Sequence, residues 1–284
     1  MAEKSSARCV GEYPEVSVLL PTYRGDTPAE LARAIESLSE QTLPPEELFV
    51  LKDGALTDDL ERVISEKGDD FPNSFQTHQI EENQGLGNAL RVGVAACSHD
   101  LVARMDADDI SVPSRFERQR GFLKENPEVD LVGGFIEEFD SDPDDPITRR
   151  KVPITHDEIE RTALFRSPIN HGTVLFDKAA VLNAGNYRAV DPMEDYDLWI
   201  RMLLDGATFA NLPEVLVKVR AGTGMYERRG GWEYARGEVR TQMEFYRRGF
   251  TPFPILVFNL LTRTTLRLIP NRVRGTVYRV IARE

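Results

Sequence analysis

Two carboxylates one residue apart, Asp106 and Asp108 in Arg104-Met-Asp-Ala-Asp-Asp109, follow the apolar run Leu101-Val-Ala103. On extended backbone, residues i and i+2 point to the same side. Two hard oxygen ligands side by side suit Mg2+ or Mn2+, with water and a diphosphate completing the coordination. Such acids are also common in a polar turn before a helix, so the position at a strand end carries more weight than the Asp-x-Asp triplet. Asp53, next to Gly54, either completes a turn or accepts a hydrogen bond from a uracil-type base or a ribose hydroxyl. In Asn83-Gln-Gly-Leu-Gly87, Gly85 and Gly87 either let backbone approach a nucleoside or form a loop before a helix. Glu194-Asp195-Tyr-Asp197 opens an amphipathic helix. Acids in a first turn complement the helix dipole, and one of them facing an acceptor hydroxyl could act as general base. His171 is either a hydrogen-bonded structural residue or a substrate contact. Arg228 and Arg229, in the Gly-rich stretch 222–231, form either a solvated turn or a clamp on a diphosphate, for which the guanidinium fork is suited. Neither Gly-x-Gly-x-x-Gly nor a Walker-type Gly-Lys-Ser/Thr occurs, so dinucleotide and P-loop binding have no support.

The elements that must position these residues are four βα units. Val16 to Leu20, Leu48 to Leu51, Phe75 to Ile80 and Leu101 to Ala103 read as strands. Thr27-Pro-Ala-Glu30 supplies an N-cap, a first-turn Pro and a capping-box Glu; Thr57 supplies a second cap, and helices are expected over about 88–96 and 113–126. Repeated strand and helix imply a mainly parallel sheet with helices on both faces, and ligands then bind at the carboxyl ends of the strands. Beyond the acidic loop at 140–146 the alternation weakens. A capped helix near Thr155, strands at Thr173 to Phe176 and Val215 to Val219, and a helix over Glu194 to Leu204 are expected there.

The chain has 284 residues, 41% of them hydrophobic, enough for one α/β domain and a tail. Its formal net charge of −12 argues against nucleic-acid binding, which needs a clustered basic face. Residues 244–284 nevertheless carry eight Arg against Glu244 and Glu284, a basic block of +6 on a body that sums to −18. From Phe250 to Ile281 apolar residues interleave with Arg, so 231–284 reads either as a basic helical tail in peripheral contact with anionic lipid or as a helical hairpin packed on the body. The longest apolar run, Ile255 to Leu261, is too short to span a bilayer, which takes about 20 residues. Two cysteines, Cys9 and Cys97, and a polar N-terminus point to a reducing, cytoplasmic setting.

Val16-Ser-Val-Leu-Leu-Pro-Thr-Tyr23, Lys52-Asp-Gly54, Asn83-Gln-Gly-Leu86, Ala103-Arg-Met-Asp-Ala-Asp-Asp109 and Met193-Glu-Asp-Tyr-Asp-Leu-Trp199, in this order, resemble a family 2 glycosyltransferase. Glu137-Glu-Phe139, Arg150-Lys-Val-Pro153 and Met225-Tyr-Glu-Arg-Arg-Gly-Gly231 agree further with the amylovoran-biosynthesis type of exopolysaccharide glycosyltransferase. The resemblance implies a GT-A fold over about 1–230, a Rossmann-like αβα sandwich with a C-terminal helical extension. It implies a hexosyltransferase that takes a sugar from a nucleoside-diphosphate sugar, UDP-linked by preference, with inversion. The acceptor would be a glycan or a polyprenyl-linked saccharide. By the same resemblance Pro21, Thr22, Tyr23, Asp53, Asn83 and Gly85 line the nucleoside site with Arg104, His171, Arg228 and Arg229 nearby. Asp106 and Asp108 hold metal and diphosphate, and Asp195, or its neighbour Glu194, is the base. Lys52 departs from the family, where a second Asp commonly precedes Asp53. Two other readings are a sugar-phosphate nucleotidyltransferase, which would need a Gly-rich loop in place of Pro21-Thr-Tyr-Arg24, and a non-catalytic scaffold of a glycan-assembly complex.

Overall fold

A computed structural model describes residues 13–190, 193–221 and 232–268, without the side chains of 233 and 264–268. The expected βα units are present: β1 (Val16–Thr22), α1 (Pro28–Ser39), β2 (Glu47–Asp53), α2 (Asp58–Asp69), β3 (Ser74–Ile80), α3 (Leu86–Ala96), β4 (Leu101–Arg104), β5 (Ile110–Ser111) and α4 (Arg115–Glu125). Then follow β6 (Leu131–Phe139), β7 (Thr148–Arg150), α5 (His156–Ala163), β8 (Leu175–Asp177), α6 (Lys178–Asn183), α7 (Glu194–Leu204), β9 (Phe209–Arg220), α8 (Trp232–Arg247) and α9 (Phe253–Leu268).

The nine strands form one mixed sheet in the order β3-β2-β1-β4-β8-β6-β9-β5, with β7 on β6. β1 to β4 are parallel as expected, but β8 runs antiparallel to β4 and β6, so the sheet is mixed beyond its first half. Strand pleating divides β1 between two cores. Val16, Val18 and Leu20 pack with Leu31, Ile35 and Phe116 on the α1–α4 face, whereas Leu19 packs with Leu90, Val94, Trp199 and Phe245 on the α3–α7 face. Each such fully buried side chain contributes roughly 1.5–3 kcal/mol.

Several local expectations are revised. Thr27 makes no side-chain cap: Glu30 N–H donates to Thr27 C=O instead (3.1 Å), and the Glu30 carboxylate, rather than closing a capping box, pairs with Arg220 Nε, 3.0 Å distant. Thr155 and Glu158 do form the capping box, and Thr57 accepts from Leu60 N–H. The strand expected from Thr173 starts at Leu175; His171–Thr173 is instead a 3-10 turn. Thr173 Oγ is engaged there, donating to Asn170 C=O (2.8 Å) and accepting from Gly134 N–H (3.0 Å). β9 runs twelve residues rather than five, and α3 begins two residues early, at a positive-φ Gly85. The tail's first half packs on the body: Phe245 meets Tyr196 with ring centroids 4.8 Å apart, and Asn259 donates to Leu164 C=O.

Candidate donor site and its family

The carboxyl ends of β1, β2 and β4 open together onto a cleft of about 630 Å3 lined by Pro21, Thr22, Tyr23, Asp53, Asn83, Gly85, Arg104, Asp106 and Asp108. Nine residues singled out in the sequence thus share one cavity. Asp26, Asp109 and Arg220 also line it, and sequence reasoning did not single these out as site residues. After β1 the chain turns sharply: Asp26 Oδ2 accepts from Thr22 Oγ1 (2.9 Å) and from Tyr23 N–H (3.0 Å), and Asp26 N–H donates to Tyr23 C=O. This turn leaves the Tyr23 ring 44% exposed at the rim. Gly25 permits it, since a Cβ there would stand 2.5 Å from the ring. Partial burial raises the Asp26 pKa, opposed by its bonds to Tyr23 and Thr22.

Asp53 spans the next gap. Its two oxygens accept from Gln84 N–H (2.8 Å) and Gly85 N–H (3.0 Å), while Asn83 Nδ2 donates to Asp53 C=O (3.2 Å). The carboxylate therefore closes the 83–85 loop onto the end of β2, and each oxygen keeps a second lone pair. Lys52, the departure from the family pattern, points elsewhere and pairs with Glu61 at 3.0 Å.

Asp106 and Asp108 are not on extended backbone: Asp109 N–H donates back to Asp106 C=O (3.4 Å), so 106–109 is a turn. The turn still directs Asp106, Asp108 and Asp109 into the same cleft. Arg104 grips Asp106 with both terminal nitrogens, one of them at 2.5 Å. Asp109 is buried and accepts from Arg220 N–H (3.0 Å); burial, then Asp106 and Asp108, pushes its carboxyl well up. Asp108 stands exposed at the mouth, yet crowding by surrounding protein and then Asp106 pushes it up to about 6. Arg220 is pinned beside Glu30, over the Phe139 ring (4.7 Å) and against Asp140 C=O. Behind the turn lies Arg115, fully buried, which donates to Arg104 C=O (2.9 Å) and Val174 C=O (3.3 Å).

Five carboxylates, Asp26, Asp53, Asp106, Asp108 and Asp109, thus face two guanidinium groups, Arg104 and Arg220, across one cleft. Glu194 and Asp195 lie outside this lining, half-buried in the first turn of α7. They adjoin it through α3: a Cβ on Gly87 would stand 3.4 Å from Glu194 Cβ. His171 is also outside the lining. Its Nε2 bonds Tyr187 OH at 2.9 Å, and burial, then the Arg104 charge, hold it neutral well below the usual histidine range. Arg228 and Arg229 lie outside the described residues.

The glycosyl transferase family 2 model matches residues 17–183, which carry nearly all of the β1–β4 half of the sheet and the cleft residues from Pro21 to Asp109. The chain belongs to glycosyl transferase family 2. This glycosyltransferase is 36% identical over 273 residues to the UDP-Gal:alpha-D-GlcNAc-diphosphoundecaprenol beta-1,3-galactosyltransferase of Escherichia coli, covering 96% of this chain and 98% of that one. It is 38% identical to the amylovoran biosynthesis glycosyltransferase AmsE of Erwinia amylovora, over 92% of this chain and 97% of the relative. In fold it resembles a mannosyltransferase of Pyrobaculum calidifontis solved with GDP-Man and Mn2+, at a TM-score of 0.65 and 17% identity, over 94% of this chain and 76% of that one. The GT-A fold and the exopolysaccharide type of transferase expected from the sequence are both met.

Proposed function

We propose that this glycosyltransferase moves a sugar, with inversion, from a UDP-sugar to a lipid-diphosphate-linked saccharide during cell-surface polysaccharide assembly. The observation that carries the reading is the cleft itself: an exposed aromatic ring at one end, an excess of carboxylates at the other, and backbone turns between them. Tyr23 stacks on the base, and Asp53 with the 83–85 loop binds the nucleoside. Asp106 and Asp108 fit a divalent cation, Mg2+ or Mn2+, because the five-against-two charge imbalance of the lining favours one and hard oxygens are its preferred ligands. The cation, when bound, neutralises charge on the leaving diphosphate. Arg104, paired with Asp106 on the cleft wall, would place its positive charge beside the phosphates. Asp195, or Glu194 beside it, takes the proton of the acceptor hydroxyl as that hydroxyl attacks the anomeric carbon from the opposite face.

The relative's acceptor is a saccharide on a lipid diphosphate, and the tail suits work near a membrane. On α9, Phe253 is 60%, Phe258 54% and Leu261 67% exposed, with Arg247 and Arg248 exposed nearby. No helix among the described residues is long and apolar enough to cross a membrane, so contact would be peripheral, on the cytoplasmic face where nucleotide sugars are supplied, through residues 231–284. The test is release of nucleoside diphosphate from a panel of UDP- and GDP-sugars, with Mn2+ and a synthetic saccharide-diphosphate-alkyl acceptor. Acceptor-dependent UDP release that stops with EDTA supports the reading. No release from any donor would count against it.

A further inference from the structure

A second charged site lies beside the first turn of α3, outside the lining of the donor cleft. Gly185, at positive φ, sits in the turn between α6 and α7, and a Cβ there would stand 3.6 Å from Arg201 Nη1 and 3.7 Å from Arg188 Nη2. Two guanidinium groups therefore flank one glycine. Arg201 is 3% exposed; its Nε donates to Asp197 (2.9 Å), its Nη1 to Ala184 C=O, and its buried Nη2 has no partner. Burial lowers its pKa, Asp197 opposes this, and both Arg188 and Arg248 repel it. Arg248 is paired with Glu244 at 2.9 Å. Arg188 is exposed, and no carboxylate among the described residues pairs with it. A guanidinium without an ion pair among the described residues thus stands beside a buried guanidinium nitrogen without a partner, an arrangement that an arriving anion would relieve.

The position is informative. Arg188 C=O would stand 2.6 Å from a Cβ on Gly87, and Glu194 Cβ 3.4 Å from it, so Arg188 and the candidate base share one neighbour in the first turn of α3. Past Arg248 the chain enters α9, where Phe253 packs against Tyr246 (6.0 Å) and where Phe253, Val257 and Leu261, one turn apart, are 60%, 39% and 67% exposed. Arg248, which repels Arg201, thus stands five residues before the apolar strip begins, the order that a molecule with a diphosphate between a sugar and a lipid requires.

We propose that Arg188, backed by Arg201 and Arg248, binds the diphosphate of the lipid-linked acceptor and so sets the acceptor's sugar beside Glu194 and Asp195. This rests on the reading of the acceptor given above, and names the residue that recognises it. Arg188 is here a substrate-binding residue. Its exposed side chain can be changed without disturbing the fold.

The experiment titrates the full chain, with UDP and Mn2+ present, with three probes: an N-acetylglucosaminyl diphosphate carrying an alkyl chain, the neutral alkyl glycoside of the same sugar, and inorganic pyrophosphate. Arg188→Gln is expected to weaken the diphosphate probe roughly 10- to 100-fold, the size of one or two charge-assisted hydrogen bonds. UDP affinity and the weak binding of the neutral glycoside stay unchanged, and Arg188→Lys restores part of the loss. Equal binding of the diphosphate probe by wild type and Arg188→Gln, or no binding by wild type, overturns the proposal. So does pyrophosphate binding that is as tight and as dependent on Arg188 as that of the glycosyl probe, which would make this a general anion site. Failure of wild type to bind UDP would instead overturn the donor-site reading, so the two failures are told apart in one series.

Discussion

Asp197→Ala removes one half of an ion pair that both partners bury: Asp197 and Arg201 are each 3% exposed, and Arg201 Nε lies 2.9 Å from Asp197 Oδ2. The pair is i, i+4 on α7, the helix whose first turn presents Glu194 and Asp195, and Arg201 also ties α7 to the end of α6 through Ala184 C=O. Removing the carboxylate leaves a buried guanidinium with one hydrogen bond and two repelling neighbours, Arg188 and Arg248. Breaking such a pair from one side costs about 3–5 kcal/mol. At about 2–4 °C per kcal/mol for a domain of this size, Tm should fall by roughly 6–20 °C. Arg201→Met in the same chain removes the orphaned charge and keeps the volume, so the double variant should regain at least half of the loss. Differential scanning calorimetry of wild type, both single variants and the double variant closes the cycle. Transfer rate measured well below each Tm should fall with Asp197→Ala, because the first turn of α7 loses its anchor. A loss under about 1 kcal/mol, or a double variant no better than Asp197→Ala, would refute the argument that burial sets the cost.

Two further predictions concern the scaffold. Gly93→Ala places a Cβ 2.3 Å from Leu19 Cδ1, so α3 must shift away from β1. Overpacking of this kind costs roughly 1–3 kcal/mol, to be read from urea unfolding at unchanged m-value. Glu47 is buried and accepts from Ser17 Oγ (2.5 Å), Ser98 N–H (2.8 Å) and Ser98 Oγ (2.6 Å). Burial raises its pKa, but these bonds outweigh it and hold the group below the usual glutamate range. A depressed carboxyl contributes stability that is present above its unfolded pKa, about 4.3, and is lost as pH falls through the lower folded value. Glu47→Gln should therefore lower Tm at pH 7 and flatten the decline of Tm below pH 4.5; an unchanged acid slope would contradict the assignment.

The parallel half of the sheet was legible because its information is local. Apolar runs of strand length, each followed by capping or turn residues, mark β1 to β4, and strand direction then places Tyr23, Asp53 and Asp106 at one edge. β6 is not among the strands the sequence marks, because Gly133 and Gly134 interrupt the apolar run of Leu131–Phe139. The glycines are there for contact instead, since a Cβ on Gly133 would meet Asn211 Oδ1 at 2.4 Å and one on Gly134 would meet Leu216 Cδ1 at 2.5 Å. Asp26 and Arg220 escaped notice for related reasons. Asp26 looks like an ordinary turn acid, whereas Arg220 reaches the cleft only through β9, whose pairing with β6 spans about eighty residues of sequence. Glu30 reads as a capping residue because nothing local announces Arg220. Long-range pairing, not propensity, decides β6, Arg220 and Glu30.

The proposed donor site needs a divalent cation at Asp106 and Asp108. Calorimetric titration of UDP and GDP, with and without Mn2+, into wild type and into Asp106→Ala/Asp108→Ala tests it most directly. UDP binding that requires Mn2+ and is lost in the double variant, with the variant still folded, is the predicted result. Nucleotide binding that ignores the metal, or that survives loss of both carboxylates, would contradict it.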